Sequence, residues 1–391
     1  MITPWIMLSA AALLLLNVGM GLFQAGVSRN KNAAASFFRS LIHTCVGILA
    51  FWAIGGAILS GNWHDACDWD GSLGSAMLVP ALVSVMSANI VAGAMLERSR
   101  SGVGVIMSIL MAGAITPLAW HLAWSQWLAS HGFADVAGAT FVHLSAGLIA
   151  LIGAILLGPR EAKFNRDGST NAVLGHSVVF MLLGAALIFV TWGPYIMSCI
   201  DLQSDSAQAP MNAILAGAAG ACAAVALSRF RYGKTDIFLV ICGLLGGLIS
   251  ISGGADRMIA LAAVAAGAIA GILVPLAAVS LELRWKIDDP AASIAIHGVG
   301  GLWAALATGL LAHAPISGIF SRLLPQLLGV GLLAVLSLIV GFGSLLFLKA
   351  TIGLRIKPAD ELDGLDLAEH DLNAYPDFQQ TTIKSYHLRE M

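Results

Sequence analysis

Two histidines carry the chemistry most open to reading in this chain. His143 and His297 each follow an aspartate by eight residues and precede the same small-residue pattern. The copies read Asp135-x7-His143-x3-Gly147-Leu148-x-Ala150 and Asp289-x7-His297-x3-Gly301-Leu302-x-Ala304, 154 residues apart. Gly and Ala matches come easily in so biased a composition, so the Asp and His matches carry the weight. Imidazole pairs in apolar surroundings have two main uses. One is axial ligation of haem, which needs four histidines for two haems or a facing pair with room for a porphyrin. The other is polar lining of a narrow pore. A neutral imidazole both donates and accepts a hydrogen bond, so a pair sharing one proton passes a small neutral molecule, such as ammonia or water, and holds no ion.

The elements that must position these histidines are membrane helices. Of 391 residues, 58% are apolar and 11% charged, and the mean hydropathy is +0.86. No soluble fold has that much core to fill. The 43 glycines allow helices to pack closely in lipid. A net charge of -2 and a pI near 6.5 leave no basic surface for nucleic acid. Cys45, Cys67, Cys199, Cys222 and Cys242 lack metal-site spacing and read as buried small residues. No cofactor or metal is expected, and no enzymatic activity. The first basic residue is Arg29, so the first apolar stretch lacks the positive start of a signal peptide and is expected to be retained.

Spanning a bilayer takes roughly 20 apolar residues. Such runs lie near 4–27, 37–60, 76–96, 103–122, 136–158, 172–197, 210–228, 236–252, 259–280, 291–312 and 324–348. The expected fold is an all-α integral membrane protein of eleven transmembrane helices. An N-terminus outside puts all but Arg257 and Arg322 of the 20 Lys and Arg in the cytoplasm, as the positive-inside rule demands. The outer loops are acidic and aromatic, with Asp65, Asp68, Trp69 and Asp70 in one, and Trp124, Trp127 and Asp135 in another. The membrane domain is expected over 1–349. The polar, acidic segment 350–391 is expected to be a cytoplasmic tail that lies against the basic loops or docks a soluble partner.

Each Asp/His copy closes a block of five helices. An odd count inverts the second block, so the expected architecture is two inverted five-helix repeats plus a C-terminal helix. Asp135 then sits at the outer end of its helix and Asp289 at the inner end of its own, each suited to a helix N-terminus. At ~1.5 Å per residue, each histidine lies roughly 12 Å below its own surface. The two approach the midplane from opposite sides and meet at the repeat interface. His43, His121 and His176 have no matched partner and read as structural or interfacial.

These residues resemble the ammonium transporter and Rhesus family. The stretch from Asp135 through His143 to Gly147 is similar to the family signature, and Asp288-Asp289-Pro290 through His297-Gly298-Val299-Gly300-Gly301 to its second histidine region. Gly21-Leu22-Phe23-Gln24-Ala25-Gly26 with Arg29, Gly93-Ala94-Met95-Leu96-Glu97-Arg98, and a tail with Gly364-Leu365-Asp366 and Asn373-Ala374-Tyr375 extend the resemblance over nearly the whole chain. It implies a homotrimer in the cell (inner) membrane, with lipid around it. Each subunit would conduct ammonium or ammonia past His143 and His297. It implies Asp135 as the outer acid, Trp124 as the ring that attracts ammonium by a cation-π contact, and a PII-type signalling protein as cytoplasmic partner.

Departures cluster at the outer mouth. Val83 and Tyr195 stand where the family stacks two phenylalanines, Val79-Pro80-Ala81-Leu82 replaces a glutamine-containing stretch, Cys199 replaces a vestibule serine, and Ser293 a later acid. With one ring missing, a wider and wetter vestibule is expected, with Tyr195 closing it alone. The competing expectation is a transport-poor ammonium sensor acting through a separate protein.

Overall fold

The computed structural model describes residues 4–67, 77–200 and 208–376; the acidic-loop residues Asp68, Trp69 and Asp70 lie outside these. The described chain is helical, with no named strand among the described residues. In chain order the long apolar helices are α1 (Pro4–Val27), α2 (Asn30–Ser60), α3 (Leu78–Ala94), α4 (Ser101–Ser130), α5 (Ala139–Leu157) and α6 (Val178–Ser198). Then come α7 (Gln208–Tyr232), α8 (Ile237–Ile249), α9 (Ala260–Leu283), α10 (Ile294–Leu311) and α11 (Ile319–Thr351). Nine of these are long and apolar enough to cross a membrane; α3 and α8 are shorter.

Local chemistry sets the boundaries. The sixth apolar run begins near 172, yet α6 starts only at Val178, because Ser177 caps it, its hydroxyl accepting from the Phe180 N–H. Asp236 caps α8 likewise, accepting from the Leu239 N–H at 3.1 Å. Close helix approach explains part of the glycine content. A Cβ on Gly19 of α1 would lie 2.9 Å from the Gly184 carbonyl oxygen of α6, and one on Gly184 would lie 2.5 Å from that of Gly19. Such backbone contacts give dispersion and packing where lipid removes any hydrophobic drive between helices.

The cysteines depart from their expected burial. Cys242 is buried, whereas Cys45 and Cys222 face outward from the chain. In a helix surrounded by lipid an exposed thiol costs little, so apolar sequence context does not separate core from perimeter.

Beyond α11 the tail forms α12 (Pro358–Asp363) and α13 (Leu365–His370) and lies against the end of the bundle that bears Arg29, Arg98 and Arg160. Asp366 accepts from the Ala34 and Ala35 N–H groups at 3.2 and 2.7 Å, capping the first turns of α2 from 332 and 331 residues away in sequence. Leu365 is fully buried against Ala35 and Ile356, and its N–H donates to Asn32 Oδ1. Arg39 pairs with Glu369 at 2.6 Å, and the buried Glu361 accepts from the Glu161 N–H and from Arg355.

Candidate functional site

The two aspartates do the same work in the two copies. Asp135 accepts from the backbone N–H groups of Ala139 and Thr140 at 2.8 and 2.7 Å, four and five residues on. Asp289 accepts from Ser293 and Ile294 at 2.9 and 2.7 Å, at the same offsets. Three residues after each aspartate the backbone turns left-handed, at Gly138 (φ 80°) and at Ala292 (φ 49°). Ala292 holds this conformation at a cost that a glycine avoids. Each carboxylate satisfies orphan N–H groups at a helix start and complements its dipole. Burial pushes both carboxyls up to about 6, against the pull of these hydrogen bonds.

Each histidine then falls in a π-helical turn, Ala139–Leu144 or Ile294–Val299. Such turns shift the side-chain register and recur at functional sites. Four residues beyond each histidine is the matched glycine. A Cβ on Gly147 would sit 2.2 Å from the Gly298 N, and one on Gly301 2.6 Å from the Leu144 N. Each glycine therefore admits the other copy's backbone beside its histidine.

The crossing brings His143 Nδ1 to 3.1 Å from His297 Nδ1, with the rings 5.2 Å apart and near parallel. At that distance one nitrogen donates and the other accepts, so the pair holds one shared proton. His143 is fully buried and its Nε2 has no hydrogen-bond partner. His297 opens onto a cavity of about 30 Å³ lined with Leu16, Met20, Phe23, Trp192 and Ile249, enough for one or two waters or a molecule of that size. That space is far too small for a porphyrin, so it does not support haem ligation.

Above the pair, Trp192 stacks on His143 at 5.6 Å and meets Tyr195 edge-on at 5.3 Å. Tyr195 is fully buried and its hydroxyl donates to the Ala137 carbonyl oxygen. Phe141 stacks on Trp120 at 4.7 Å, and Trp124 meets both edge-on. Trp124 is half exposed, and its indole N–H donates to the Asp135 carbonyl oxygen at 2.8 Å, tying the ring to the aspartate's loop. Val83 is fully buried, and Cys199 sits at the end of α6 with Ser198. Phe141, within the first histidine motif, adds a ring on this side. Reading only the two family gate positions missed Phe141 and Trp192; their spacing of two residues before His143 and three before Tyr195 was the available signal.

At the basic end, a buried ion network braces the second copy. Asp288 pairs with Arg160 at 2.8 Å and approaches Arg98; Glu97 binds Arg160 at 3.1 Å and also Arg29. Burial raises the Asp288 carboxyl, but Arg160 overrides this and holds it at about 2. Of the unmatched histidines, His121 bonds the Leu59 carbonyl and His176 bonds both the Ser28 carbonyl and the Tyr375 hydroxyl, which are structural roles. His43 is buried with Nδ1 unpartnered.

A profile of the Ammonium Transporter Family matches residues 4–375. Ammonium transporter Amt2 of Archaeoglobus fulgidus is 31% identical over 422 residues, covering 96% of this chain and 88% of the relative. Amt2 of Haloferax mediterranei is 29% identical over 96% of this chain and 90% of its own. Among solved structures, one titled Sensor Amt Protein superposes with a TM-score of 0.88 at 28% identity, over 94% of this chain and 97% of that one. Mep2 of Candida albicans shares the fold, with a TM-score of 0.80 at 24% identity over 96% and 91% of the two chains. With the profile spanning nearly every described residue, this multi-pass helical membrane protein belongs to the ammonium transporter family.

Proposed function

We propose that the protein moves ammonium nitrogen across the membrane as ammonia, through a narrow lumen that passes the His143–His297 pair. The observation that carries this reading is the 3.1 Å Nδ1 contact at the head of a small, largely apolar cavity. A pair sharing one proton offers donors and acceptors to ammonia and no fixed counter-charge to a cation. Ammonium first meets the exposed Trp124 ring, with a cation-π attraction of roughly 0.5 to 2 kcal/mol, and the Asp135 carboxylate below it. Water at the outer face takes its proton, and ammonia alone enters the largely apolar lumen. Tyr195, Val83 and Cys199 form the outer wall of this route.

In this reading all eleven helices cross, the N-terminus is outside, and α1–α5 and α6–α10 are inverted repeats followed by α11. The matched carboxylate offsets, the matched left-handed residues and the reciprocal glycine contacts support the repeat. Three copies assemble in the cell (inner) membrane, and the basic face with its docked tail is where a PII-type protein would bind. The test is uptake of ammonium or methylammonium by reconstituted vesicles, with current recorded in parallel. His143→Ala and His297→Ala should each abolish selective flux or turn it into leak. Unchanged flux and selectivity in both variants would remove the pair from the route.

A second reading, a transport-poor sensor, is favoured by the likeness to the structure titled Sensor Amt Protein and by the full burial of Val83, Tyr195 and Phe141. The same vesicles separate the two: a sensor binds ammonium and carries no flux.

A further inference from the structure

Gln24, on α1, lines two cavities. One is the largely apolar space beside His297; the other, of about 20 Å³, lies among α1, α2 and the α3–α4 loop. Ser36, Arg39, His43, Ser99 and Gly104 share the walls of this second space with Gln24. It has room for one molecule the size of water.

Two buried nitrogens at the smaller cavity are unanswered. Arg39 and His43, one turn apart on α2, are 9% and 4% exposed, and Arg39 Nε and His43 Nδ1 have no hydrogen-bond partner among the described residues. The His43 ring fits because α4 has a glycine where it passes: a Cβ on Gly104 would lie 2.4 Å from Nε2. A guanidinium N–H and an imidazole left unpaired in the interior destabilise the fold, and a polar-walled space of this size is where a small guest removes that deficit. The partners define the guest. Arg39 Nε only donates, so the guest needs a lone pair; a neutral imidazole both donates and accepts, so the guest answers it in either role. Water and ammonia meet both requirements. An ammonium ion has no lone pair and would lie against a guanidinium, so it is excluded.

The rest of the Arg39 fork faces the tail. Its Nη1 donates to the Ser99 carbonyl at 2.9 Å and its Nη2 to Glu369 of α13 at 2.6 Å. We propose that the cavity is a binding site for one neutral hydride of the water and ammonia class, held between Arg39 and His43, and that its occupant steadies the Arg39 fork on which α13 docks. The site lies off the His143–His297 route, so loss of flux in either variant of that pair leaves it standing.

The first test is a density map of the full chain in lipid nanodiscs, in ammonium-free buffer, at a resolution that shows ordered water. One peak within about 3.2 Å of both the Arg39 guanidinium and a ring nitrogen of His43 is expected; an empty cavity overturns the proposal. The second is limited proteolysis of the tail. His43→Leu, which cannot hold the guest, should lose α13 several-fold faster than the native chain, and His43→Gln, whose amide donates and accepts, should restore most of the protection. Equal rates in His43→Leu and the native chain, or in the Leu and Gln variants, overturn the proposal. If His43→Leu does not fold, the map decides. Added ammonium at alkaline pH separates the two guests: a cleavage rate that shifts in the native chain and not in His43→Leu assigns ammonia, and an unchanged rate assigns water.

Discussion

Asp135 and Asp289 are buried carboxylates that serve as helix caps, and this makes them sensitive to pH. Their folded values of about 6 lie above the ordinary 3.8. Stability from protonation is therefore fully present below pH 3.8 and is lost as pH rises through about 6, by ~3 kcal/mol for each group. Asp288 runs the other way. Its folded value of about 2 gives stability above pH 3.8 that is lost only as pH falls through about 2. Thermal unfolding in detergent should thus show a higher midpoint at pH 5 than at pH 7.5, and Asp135→Asn should remove about half of the difference. A flat profile in the native chain would contradict the burial argument. Val83 supplies a second residue-scale expectation. Because it is fully buried, Val83→Phe overpacks its site and should destabilise by about 1–3 kcal/mol, seen as a lower midpoint, rather than restore a family-like gate.

At the scale of elements, the proposed route rests on two short helix starts that cross. A Cβ on Gly147 would lie 2.2 Å from backbone, where no flexible side chain can yield. Gly147→Ala should therefore push α5 and α10 apart, cost about 1–3 kcal/mol or more, and lower ammonia flux through loss of the 3.1 Å histidine contact. Gly343 in α11 has nothing within 4 Å, so Gly343→Ala should leave both measurements near native values. The tail is held by another remote cap. Asp366→Ala leaves the Ala34 and Ala35 N–H groups unpaired, should cost about 0.5–2 kcal/mol, and should expose α13 to limited proteolysis while the bundle stays intact.

For the whole molecule, one apolar bundle carries two very different ends. Around Trp124 and Asp135 aromatic rings pack together on the side of Trp192 and His143; around Arg160 and Asp288 charges pair in a buried network beside a cavity lined by both acids and bases. The buried acids Asp135, Asp289, Asp288 and Glu97 sit where capping or pairing offsets their burial, and His143 and His297 face one another, whereas the buried His43 leaves Nδ1 without a partner.

How far the sequence reached follows from the range of the interactions involved. Hydrophobic run length marked the apolar segments, including the short eighth, because a helix in lipid must satisfy its own backbone and so is specified locally. The Asp-x7-His spacing marked the cap and the histidine of each copy, since a cap acts within five residues of chain. What local spacing cannot carry is which residues meet across the bundle. The Trp192 stack on His143, the stacked Phe23 and Phe238 rings, the Asp366 cap on α2 and the burial of Val83 each join segments far apart in sequence. In a chain this uniformly apolar, hydrophobicity no longer distinguishes core from perimeter, as Cys45 and Cys222 illustrate. Only the tertiary packing of glycine-bearing helix faces, set by shape rather than by water, decided those contacts.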